Sequence, residues 1–382
     1  MTSGQKAAHR GEANRPAAIS PPEEHEGLAT GSSGESLELV LRPSTDADDA
    51  ARDEFVRSHE RASFFHQSGW RRVIRRVYGH FPRDLVAFRG KRCVGVLPLM
   101  ETRSLTGGRS LISVPYGVYG GPLGETQEIE VQLREMAKVL AEELKVKRLE
   151  IRNRLDPGDD GMLESSLYYT FIKDLPRDPE DVLKGMPKKA RAEARKARKQ
   201  HGLELVQGEW FVQDLCRLFF QNKHSLGSPG LPLKHFQAIQ EEFGKDIAVH
   251  IVRKDRQPVS AVMSFCFRDT LIAYYAGTVP GADRACSASN FMYMALQEWA
   301  VEQGYGVFDF CRSRADSGAF SFKRHQGFEP QQLHYRFHQV KAKGLPSFNP
   351  SNPKTRVLRD TWSKLPIWFT QAASERLARY LP

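Results

Sequence analysis

The sequence predicts an α/β protein with mixed sheets, built from two similar domains in tandem. The same order of elements occurs twice along the chain: a hairpin, a further strand, a helix and a last short strand. The 382 residues suffice for two domains that each bury a core of their own. A repeated block of this size indicates duplicated domains that face each other across a cleft.

The first copy begins with a hairpin-like stretch at residues 85–99 and a strand near residues 111–114. A segment with helical periodicity follows at about residues 127–145, and a short strand closes the copy at residues 149–152. The apolar side chains of the helix recur at the spacing of one buried face.

The second copy repeats this order with a hairpin at residues 249–267 and a strand at residues 271–275. Its helix is predicted at about residues 289–303 and its last strand at residues 307–310. Strand alternation directs the rings of Phe308 and Phe310 to one face of that strand and the Asp309 carboxylate to the other.

Composition excludes several classes of protein. Apolar residues make up 40% of the chain and charged residues 27%, as in ordinary globular proteins, and no window is apolar enough to span a membrane. Five scattered cysteines argue against a disulfide framework. Residues 1–36 are rich in Gly, Ser, Pro, Ala and Glu and are predicted to be a disordered tail. We expect a cytoplasmic protein.

The net charge of +10 is concentrated in a connector between the copies. Residues 188–199 carry seven basic residues against Glu193, and a helical projection places Ala190, Ala194 and Ala197 opposite the basic side chains. Either this helix is a solvated link, or Arg191, Arg195 and Lys196 bind phosphate groups of a nucleotide-linked substrate or of RNA. The seven basic residues are Lys188, Lys189, Arg191, Arg195, Lys196, Arg198 and Lys199.

Candidate catalytic residues lie in and shortly after the last strand of the second copy. Asp309, Arg312 and Lys323 are suited to orient an amine nucleophile and to offset charge on an acyl oxygen. The alternative for Asp309 and Arg312 is a structural ion pair. Lys323 lies between aromatic residues in the sequence, which favours a cation held in a site.

A zinc site is not predicted. His334 and His338 have metal-like spacing only in a helix, whereas the sequence around them alternates like a strand, with Arg336 between them on the same face. We predict no metal and no tightly bound cofactor.

Several motifs resemble those of one family. They are Phe64-Phe-His-Gln-Ser-Gly-Trp70, Val118-Tyr-Gly-Gly-Pro122, Pro187-Lys-Lys-Ala-Arg-Ala-Glu-Ala-Arg-Lys196, Asn290-Phe-Met-Tyr293, Phe308-Asp-Phe-Cys-Arg-Ser313 and Phe320-Ser-Phe-Lys-Arg-His-Gln-Gly-Phe-Glu-Pro330. In these stretches the chain resembles the FemAB-related proteins associated with PEP-CTERM/exosortase systems, over about residues 38–370.

The resemblance implies two tandem GNAT-like domains and an acyl- or aminoacyltransferase of cell-envelope or exopolysaccharide production. Lys323 then lies near the acyl-transfer site, Arg191 and Arg195 in the phosphate-contacting helix, and Tyr119 at the tyrosine of the glycine loop. The residues expected to bind substrate are Arg191, Arg195, Lys196, Tyr119, Trp70, Tyr275 and Asn290. The expected partners are a nucleotide- or lipid-linked saccharide or peptide precursor and aminoacyl-tRNA, with no role for DNA.

The sequence departs from the family pattern at three places. Cys311 replaces a usual glycine, and residues 202–248 lack the heptad pattern of the coiled-coil arm of tRNA-dependent members, which argues against aminoacyl-tRNA as donor. Arg284, Ser287 and Ser289 stand where GNAT acyl-CoA transferases carry Gln/Arg-x-x-Gly-x-Gly/Ala. They bind cofactor only if CoA is used, and we favour Ser287 or Ser289 as a helix N-cap instead.

The sequence therefore predicts four regions: the tail at 1–36, a GNAT-like domain at 37–178, the basic connector with a second GNAT-like domain at 179–345, and an amphipathic tail at 346–382. We favour packing of the last tail on the second domain over peripheral contact with a membrane. The alternatives to a FemAB-like transferase are a CoA-dependent N- or O-acetyltransferase and a non-catalytic binding module.

Overall fold

The computed structural model describes residues 38–105, 107–345 and 353–381. The predicted disordered tail at 1–36 lies outside the described residues, as does the start of the C-terminal tail at 346–352. Residues 38–178 are called the first copy and residues 179–345 the second copy.

The first copy contains these helices and strands: β1 (Leu39–Pro43), α1 (Asp49–Ser58), α2 (Ser68–Tyr78), β2 (Phe81–Pro82), β3 (Leu85–Arg89), β4 (Arg92–Leu97), β5 (Met100–Arg103), β6 (Arg109–Ile112), β7 (Leu123–Gly124), α3 (Gln127–Glu143), β8 (Arg148–Asn153), β9 (Leu163–Ser165) and β10 (Tyr168–Asp174).

The second copy and the C-terminal tail contain α4 (Pro179–Gly185), α5 (Lys188–His201), β11 (Glu204–Gln207), α6 (Val212–Ser225), α7 (Leu233–Phe243), β12 (Ile247–Lys254), β13 (Gln257–Phe267), β14 (Thr270–Thr278), α8 (Ala282–Cys286), α9 (Ala288–Glu302), β15 (Val307–Asp309), β16 (Ser313–Arg314), α10 (Gly318–His325), β17 (Pro330–Gln332), β18 (His334–Gln339), α11 (Pro353–Lys364) and α12 (Ile367–Leu377).

The elements predicted from periodicity are confirmed in both copies. The hairpins are β3–β4 and β12–β13, the predicted helices are α3 and α9, and the closing strands are β8 and β15. Each predicted helix has a buried apolar face, because its apolar residues recur every three or four positions. The mixed α/β fold class is therefore confirmed.

The strands form three sheets. The first copy supplies a sheet of order β1-β3-β4-β7, and most of a second sheet of order β2-β5-β6-β8-β18-β9. The third sheet has the order β11-β12-β13-β14-β15-β10-β16, with β17 also paired to β10. Parallel pairing occurs once in each copy, between β6 and β8 and between β14 and β15.

Two strands cross the predicted boundary near residue 178. β10 precedes that boundary yet pairs with β15, and β18 follows it yet pairs with β8 along six residues of each strand. The two copies are therefore joined by backbone hydrogen bonds and by a shared core. The exact domain boundaries stay a prediction.

The shared core is aromatic. Phe64, Phe65 and Trp70 of the first copy pack against Phe265 and Tyr274 of the second, with the Phe64 and Phe265 rings stacked at 4.3 Å. Aromatic pairs of this kind contribute beyond the apolar area that they bury. This contact fixes the loops of the first copy against the strands of the second.

The C-terminal tail packs on the second copy, as favoured from the sequence. The His224 ring hydrogen-bonds the carbonyl of Leu365, and the Ser374 hydroxyl accepts from the N–H of Gly230. The chain also returns to the first copy, because the Tyr116 hydroxyl donates to the carbonyl of Ala378 at 2.8 Å. Among the described helices, none is long and apolar enough to cross a membrane.

Candidate functional site

In both copies the two parallel strands separate after a short paired stretch. β6 and β8 pair only at Leu111–Leu149 and Ile112–Glu150. β14 and β15 pair from Thr270–Val307 to Ile272–Asp309, after which β14 continues to Thr278 paired with β13 only. Separation of two strands at their carboxyl ends opens a space in the sheet, and the candidate functional residues lie around these two spaces.

The irregular segment of the first copy at residues 113–122 covers the space beside β14 and β15 in the second copy. Tyrosine hydroxyls join the two: Tyr335 donates to the carbonyl of Val118 at 2.8 Å, and Tyr274 donates to the carbonyl of Tyr116. A third hydroxyl, that of Tyr119, points to the carboxylate of Asp309. The segment between β6 and β7 thus supplies part of a site whose remainder is in the second copy.

Asp309 lies at the centre of a buried network and is only 3% exposed. Its Oδ1 atom accepts hydrogen bonds from the Cys311 N–H at 2.7 Å and from the Tyr119 hydroxyl at 3.2 Å, and the Thr170 hydroxyl contacts both Asp309 and Tyr119. Burial raises the pKa of Asp309, although the Cys311 N–H, Arg154, Tyr119 and Lys323 each oppose the rise. A carboxylate with a raised pKa is a better proton acceptor than an exposed one.

Lys323 projects from α10 toward the turn that follows Asp309. Its ammonium donates to the carbonyls of Cys311 at 2.9 Å and Arg312 at 3.3 Å, and lies 5.5 and 5.4 Å from the ring centroids of Phe171 and Phe310. The aromatic surroundings expected from the sequence are confirmed. Burial lowers the pKa of Lys323 to about 8. Lys323 therefore stabilises the turn that carries Arg312.

Arg312 is held by aromatic rings. Its guanidinium lies 4.6 Å from the ring centroid of Tyr168 and 5.7 Å from that of Tyr335, and it donates to the Tyr335 hydroxyl at 3.3 Å. Within the described chain Arg312 makes no ion pair with Asp309, so the structural ion pair that was the alternative is not formed. Its charge is left available to an anionic group.

Cys311 has φ +58°, in the left-handed region. The FemAB-related pattern has glycine at this position, and glycine adopts this backbone conformation without steric cost. The departure from the family pattern therefore places a buried thiol on a strained turn. Its N–H is used by Asp309 and its carbonyl by Lys323.

The space in the first copy is an open cleft of about 790 Å³. Tyr119, Gly121, Asn153 and Arg154 line it together with the first residues of α3. Gly121 is required by close approach, because a Cβ atom there would lie 2.4 Å from Oδ1 of Asn153. Tyr119 borders this cleft and also contacts Asp309, so this side chain links the cleft to the buried network.

The basic connector is confirmed as helix α5, and its alanine face is buried against the second copy. Arg191 donates to the carbonyl of Lys184, and Arg195 borders a second cavity of about 680 Å³ between α4, α5 and α9. Lys196 is exposed. Phe308 and Phe310 pack in the same cluster as the alanines, whereas the Asp309 carboxylate points to the opposite face of β15. The connector cations are thus not brought together with Asp309.

Three further residues expected to bind substrate have internal contacts. The indole N–H of Trp70 donates to the carbonyl of Pro115 at 3.1 Å, and the Tyr275 hydroxyl lies 2.8 Å from Nε2 of His235. Asn290 accepts from the Gln326 side chain at 2.6 Å. Trp70 and Tyr275 are buried in the aromatic core, so the polar atom of each is already used; their roles toward substrate stay a prediction.

The start of α9 differs from the N-cap that we expected. Ser287 is at the N-cap position with φ +52°, but its hydroxyl donates to the Glu193 carboxylate instead of capping the helix. The cap is Asp283, whose carboxylate accepts from the N–H and the hydroxyl of Ser289 at 2.7 and 3.0 Å. Arg284 is exposed on α8.

Two carboxylates therefore occupy the position where a CoA pyrophosphate would lie at the start of α9. The start of α3 is similar, because Glu130 accepts from the N–H of Gly124 and also pairs with Arg61. A pyrophosphate is favoured at a helix start by free N–H groups and positive charge, and repelled by carboxylates. The residues at the start of α9 do not fit CoA, and neither do those at the start of α3.

Sequence reasoning missed three residues of the site. Thr170 is a partner of Asp309, Arg154 borders the cleft and acts on the pKa of Asp309, and Lys223 of α6 is close enough to Arg312 for the guanidinium to lower its pKa. Each lies far from residues 309–323 in the sequence, and no spacing pattern connects them. Around them, no group of three or more His, Cys, Asp and Glu side chains in the described chain is placed to hold a metal.

Residues 185–324 match the family described as acetyltransferase (GNAT) domain. This stretch contains α5, the whole β12–β15 block, and Asp309, Arg312 and Lys323. No significant match was found among the curated proteins.

Three solved structures are similar to the chain. A crystal structure of FemX aligns with TM-score 0.60 and 12% identity, covering 79% of this chain and 98% of that one. A tandem GNAT protein from the clavulanic acid biosynthesis pathway aligns with TM-score 0.50 and 13% identity, covering 80% and 100%. A conserved protein of unknown function from Bacteroides thetaiotaomicron aligns with TM-score 0.51 and 12% identity, covering 79% and 100%.

At these identities the similarity to solved structures shows the fold alone. The protein is thus a mixed α/β protein of the tandem GNAT type, with a GNAT acetyltransferase domain in its second copy. Residues 185–324 match the acetyltransferase (GNAT) domain, and the reaction has to be argued from the site.

Proposed function

We propose that the protein is an acyl- or aminoacyltransferase in which an amine or hydroxyl of an acceptor attacks an activated acyl donor directly. The observation that carries this proposal is the buried Asp309 carboxylate with a raised pKa, which accepts a hydrogen bond from Tyr119, a residue that borders the open cleft. A carboxylate in this setting serves as the general base that a weak nucleophile needs.

In the proposed reaction, the acceptor nitrogen or oxygen forms a bond to the acyl carbonyl carbon while its proton passes to Asp309. The donor's leaving group departs with the electron pair of the former acyl bond, and no covalent enzyme intermediate forms. Tyr119 orients the Asp309 carboxylate through its hydroxyl. Arg312 offsets negative charge on the acyl oxygen or a phosphate, and Lys323 holds the Arg312 turn in place.

For the acyl donor, the helix starts favour a group other than CoA. Asp283 and Glu193 at α9 and Glu130 at α3 are opposite in charge to what a pyrophosphate requires. An aminoacyl-tRNA donor is compatible with these helix starts. Residues 202–248, however, hold only the helices α6 and α7 and not the coiled-coil arm of tRNA-dependent members, which argues against such a donor. With such a donor, the exposed cations of α5 provide a surface for phosphate groups, with Arg195 beside the cavity between α4, α5 and α9.

For the acceptor, we propose a nucleotide- or lipid-linked precursor of the cell envelope or of an exopolysaccharide. The motifs shared with FemAB-related PEP-CTERM/exosortase proteins support this choice, and so does the size of the cleft, about 790 Å³, which accommodates a saccharide or a short peptide. Peripheral contact with the inner membrane belongs to the same proposal, since a lipid-linked acceptor is presented there.

A ligand titration tests donor and acceptor separately. Thermal unfolding is followed with acetyl-CoA, with CoA and with a UDP-linked muropeptide; a ligand at 100 times its Kd raises stability by about 2.7 kcal/mol. We expect stabilisation by the muropeptide and none by the CoA species. Stabilisation by acetyl-CoA would contradict the donor assignment and favour a CoA-dependent acetyltransferase.

Two variants test the chemistry once a turnover assay is set up. Asp309→Asn removes the base, and Lys323→Ala releases the Arg312 turn; each is expected to lower turnover by about 10²-fold or more. Lys173→Ala is the matched control, because this lysine also lies over an aromatic ring, that of Phe328, whereas its ammonium has no hydrogen bond or ion pair with Asp309 among the described residues. If Asp309→Asn leaves turnover intact, Asp309 is not the general base. If no donor gives turnover, and Asp309→Asn and Lys323→Ala keep ligand binding and the biological effect, the protein is a binding module instead of an enzyme.

A further inference from the structure

Helix α12 packs on the rest of the protein through small residues. Thr370 and Ser374, with Ala378 just after the end of the helix, recur every four positions and are at most 2% exposed. The Thr370 hydroxyl donates to the carbonyl of Ile367 at 3.0 Å, and the Ser374 hydroxyl donates to that of Thr370 at 2.6 Å. The buried side of α12 therefore uses none of the large apolar residues of this helix.

Those large apolar residues are exposed at the start of α12. Ile367, Trp368 and Phe369 are 48%, 72% and 45% exposed, and the rings of Trp368 and Phe369 are in edge contact at 5.9 Å between centroids. In a helix that only covers a core, the large apolar side chains would face inward and the small polar ones outward. A contiguous exposed apolar patch marks an interaction site, whereas a single exposed apolar residue needs no explanation.

Exposed apolar side chains continue on the neighbouring helix. Val357 and Leu358 of α11 are 64% and 71% exposed. The next residue, Arg359, donates to the carbonyl of Leu226 at 3.1 Å, and Leu226 at the end of α6 is itself 52% exposed. The apolar surface of the C-terminal tail thus extends over both of its helices and meets the end of α6.

The charge of the tail is opposite to that of an anionic surface. The tail contains six basic residues and two acidic ones, and one of the acidic residues, Asp360, is paired with Arg356. Lys364 at the end of α11 is exposed, and so is Arg376, which lies seven positions after Phe369 and hence on the same side of α12. Aromatic rings flanked by Lys and Arg are typical of helices that lie in the headgroup region of a bilayer.

We propose that the exposed side of α11 and α12 is a docking surface for an anionic phospholipid bilayer. Trp368 and Phe369 enter the boundary between headgroups and acyl chains, while Lys364 and Arg376 lie against the lipid phosphates. A protein partner fits less well, because lysine is depleted at protein interfaces. The inference deepens the proposed function and rests on it only for the purpose of the contact, which is access to a lipid-linked acceptor.

The test measures binding of the full chain to vesicles of phosphatidylcholine alone and of phosphatidylcholine and phosphatidylglycerol in equal parts. Trp368→Ser/Phe369→Ser is compared with the wild type and with Trp210→Ser; Trp210 is 74% exposed and lies outside the tail. We expect the wild type and Trp210→Ser to bind the anionic vesicles, and the double variant to bind them about tenfold or more weakly. Equal binding by all three would show that the net charge of +10 alone attracts the vesicles, and would overturn the proposal.

A second readout keeps the aromatic surface in place. Brominated phosphatidylcholine quenches the fluorescence of a tryptophan that enters the acyl boundary. We expect quenching in the wild type and the loss of most of it in Trp368→Phe, although this variant still binds the vesicles. Binding without quenching of Trp368 would show that the tail does not enter the bilayer, and the proposal would fail.

The role of charge is tested with Lys364→Gln. One basic residue near an anionic membrane contributes about 1 kcal/mol, so we expect binding to the anionic vesicles to fall about fivefold. Lys91→Gln is the control, because Lys91 is an exposed lysine of the β3–β4 turn, and it should bind like the wild type. Equal binding of the wild type to both kinds of vesicle would overturn the assignment to an anionic surface.

The competing occupant of this surface is a second copy of the chain. Sedimentation equilibrium of the free protein tests it: a dimer that is lost in Trp368→Ser/Phe369→Ser would replace the membrane with an interface between copies. The double variant leaves Asp309 and Lys323 unchanged, so it should keep its turnover with a UDP-linked acceptor. If the wild type binds vesicles while no donor gives acyl transfer, the proposed function fails and the docking surface stands; turnover without vesicle binding gives the reverse.

Discussion

The two copies use the same strand arrangement differently. In the first copy, the parallel pair β6–β8 separates into an open cleft of about 790 Å³. In the second copy, the space beside β14–β15 is closed by a segment from the first, and it buries Asp309 with Tyr119 and Thr170. The first copy thus has room for a ligand, and the second has a desolvated carboxylate.

The difference arises from the strand before the separation. β14 continues as a strand to Thr278, with a register shift against β13 at Tyr274, whereas β6 ends at Ile112 and is followed by ten irregular residues before β7. Those residues carry Tyr119 across to Asp309. Neither copy therefore holds the candidate site by itself, and we expect the two copies to unfold together.

The largest expected effect is the loss of stability in acid, which also tests whether the two copies unfold together. The pKa values of four buried histidines are lowered by burial, for His66, His80 and His250 to about 4 and for His235 to about 3, two histidines in each copy. The unfolded chain binds these protons near pH 6.5, so stability is present above that pH and is lost as pH falls toward 4. At pH 5 each histidine costs about 2 kcal/mol.

We expect a single unfolding transition whose midpoint falls steeply below pH 6.5, measured by urea unfolding at pH 7, 6 and 5 with circular dichroism and tryptophan fluorescence. His250→Phe should reduce the pH dependence, because His250 contacts Trp299 but leaves both ring nitrogens without a partner in the described structure. Exposed His325 provides the control, His325→Gln. Two separate transitions would show that the copies unfold independently.

A matched pair of glycines tests how closely helices approach the sheets in the two copies. A Cβ atom on Gly277 of β14 would lie 2.4 Å from the backbone N of Phe219 in α6. A Cβ atom on Gly95 of β4 would instead meet Cγ2 of Ile129 in α3 at 2.6 Å, an atom that side-chain rotation can move. We expect Gly277→Ala to cost about 3 kcal/mol and Gly95→Ala about 1 kcal/mol. Chemical denaturation checks the order, and equal costs would contradict it.

The smallest expected effect concerns the ends of β8 and β15, the closing strands of the two copies. β8 runs on through Asn153, but the chain after β15 turns at Cys311 with φ +58°. Cys311→Gly relieves backbone strain, while Cys311→Ala keeps the strain and loses the thiol, so the glycine variant should be the more stable by about 1 kcal/mol. The difference is measured by urea unfolding at pH 7. A more stable alanine variant would show that packing at this buried site outweighs the strain.

The local sequence pattern was sufficient to predict much of the secondary structure. Hydrophobic periodicity located the hairpins, α3 and α9, and the projection of α5 placed Ala190, Ala194 and Ala197 on its buried face. The alternation of residues 308–310 correctly separated Asp309 from the phenylalanines. These successes have one cause: the geometry of a single helix or strand fixes which residues share a face.

The sequence by itself thus determined the fold class, the elements of both copies and the segment that carries Asp309, Arg312 and Lys323. Only the tertiary structure decided that β10 and β18 are exchanged between copies, that Tyr119 meets Asp309, and that Asp283 caps α9. Each of these contacts joins residues of different elements. Their pairing follows from how whole sheets and helices pack together, which no local period records.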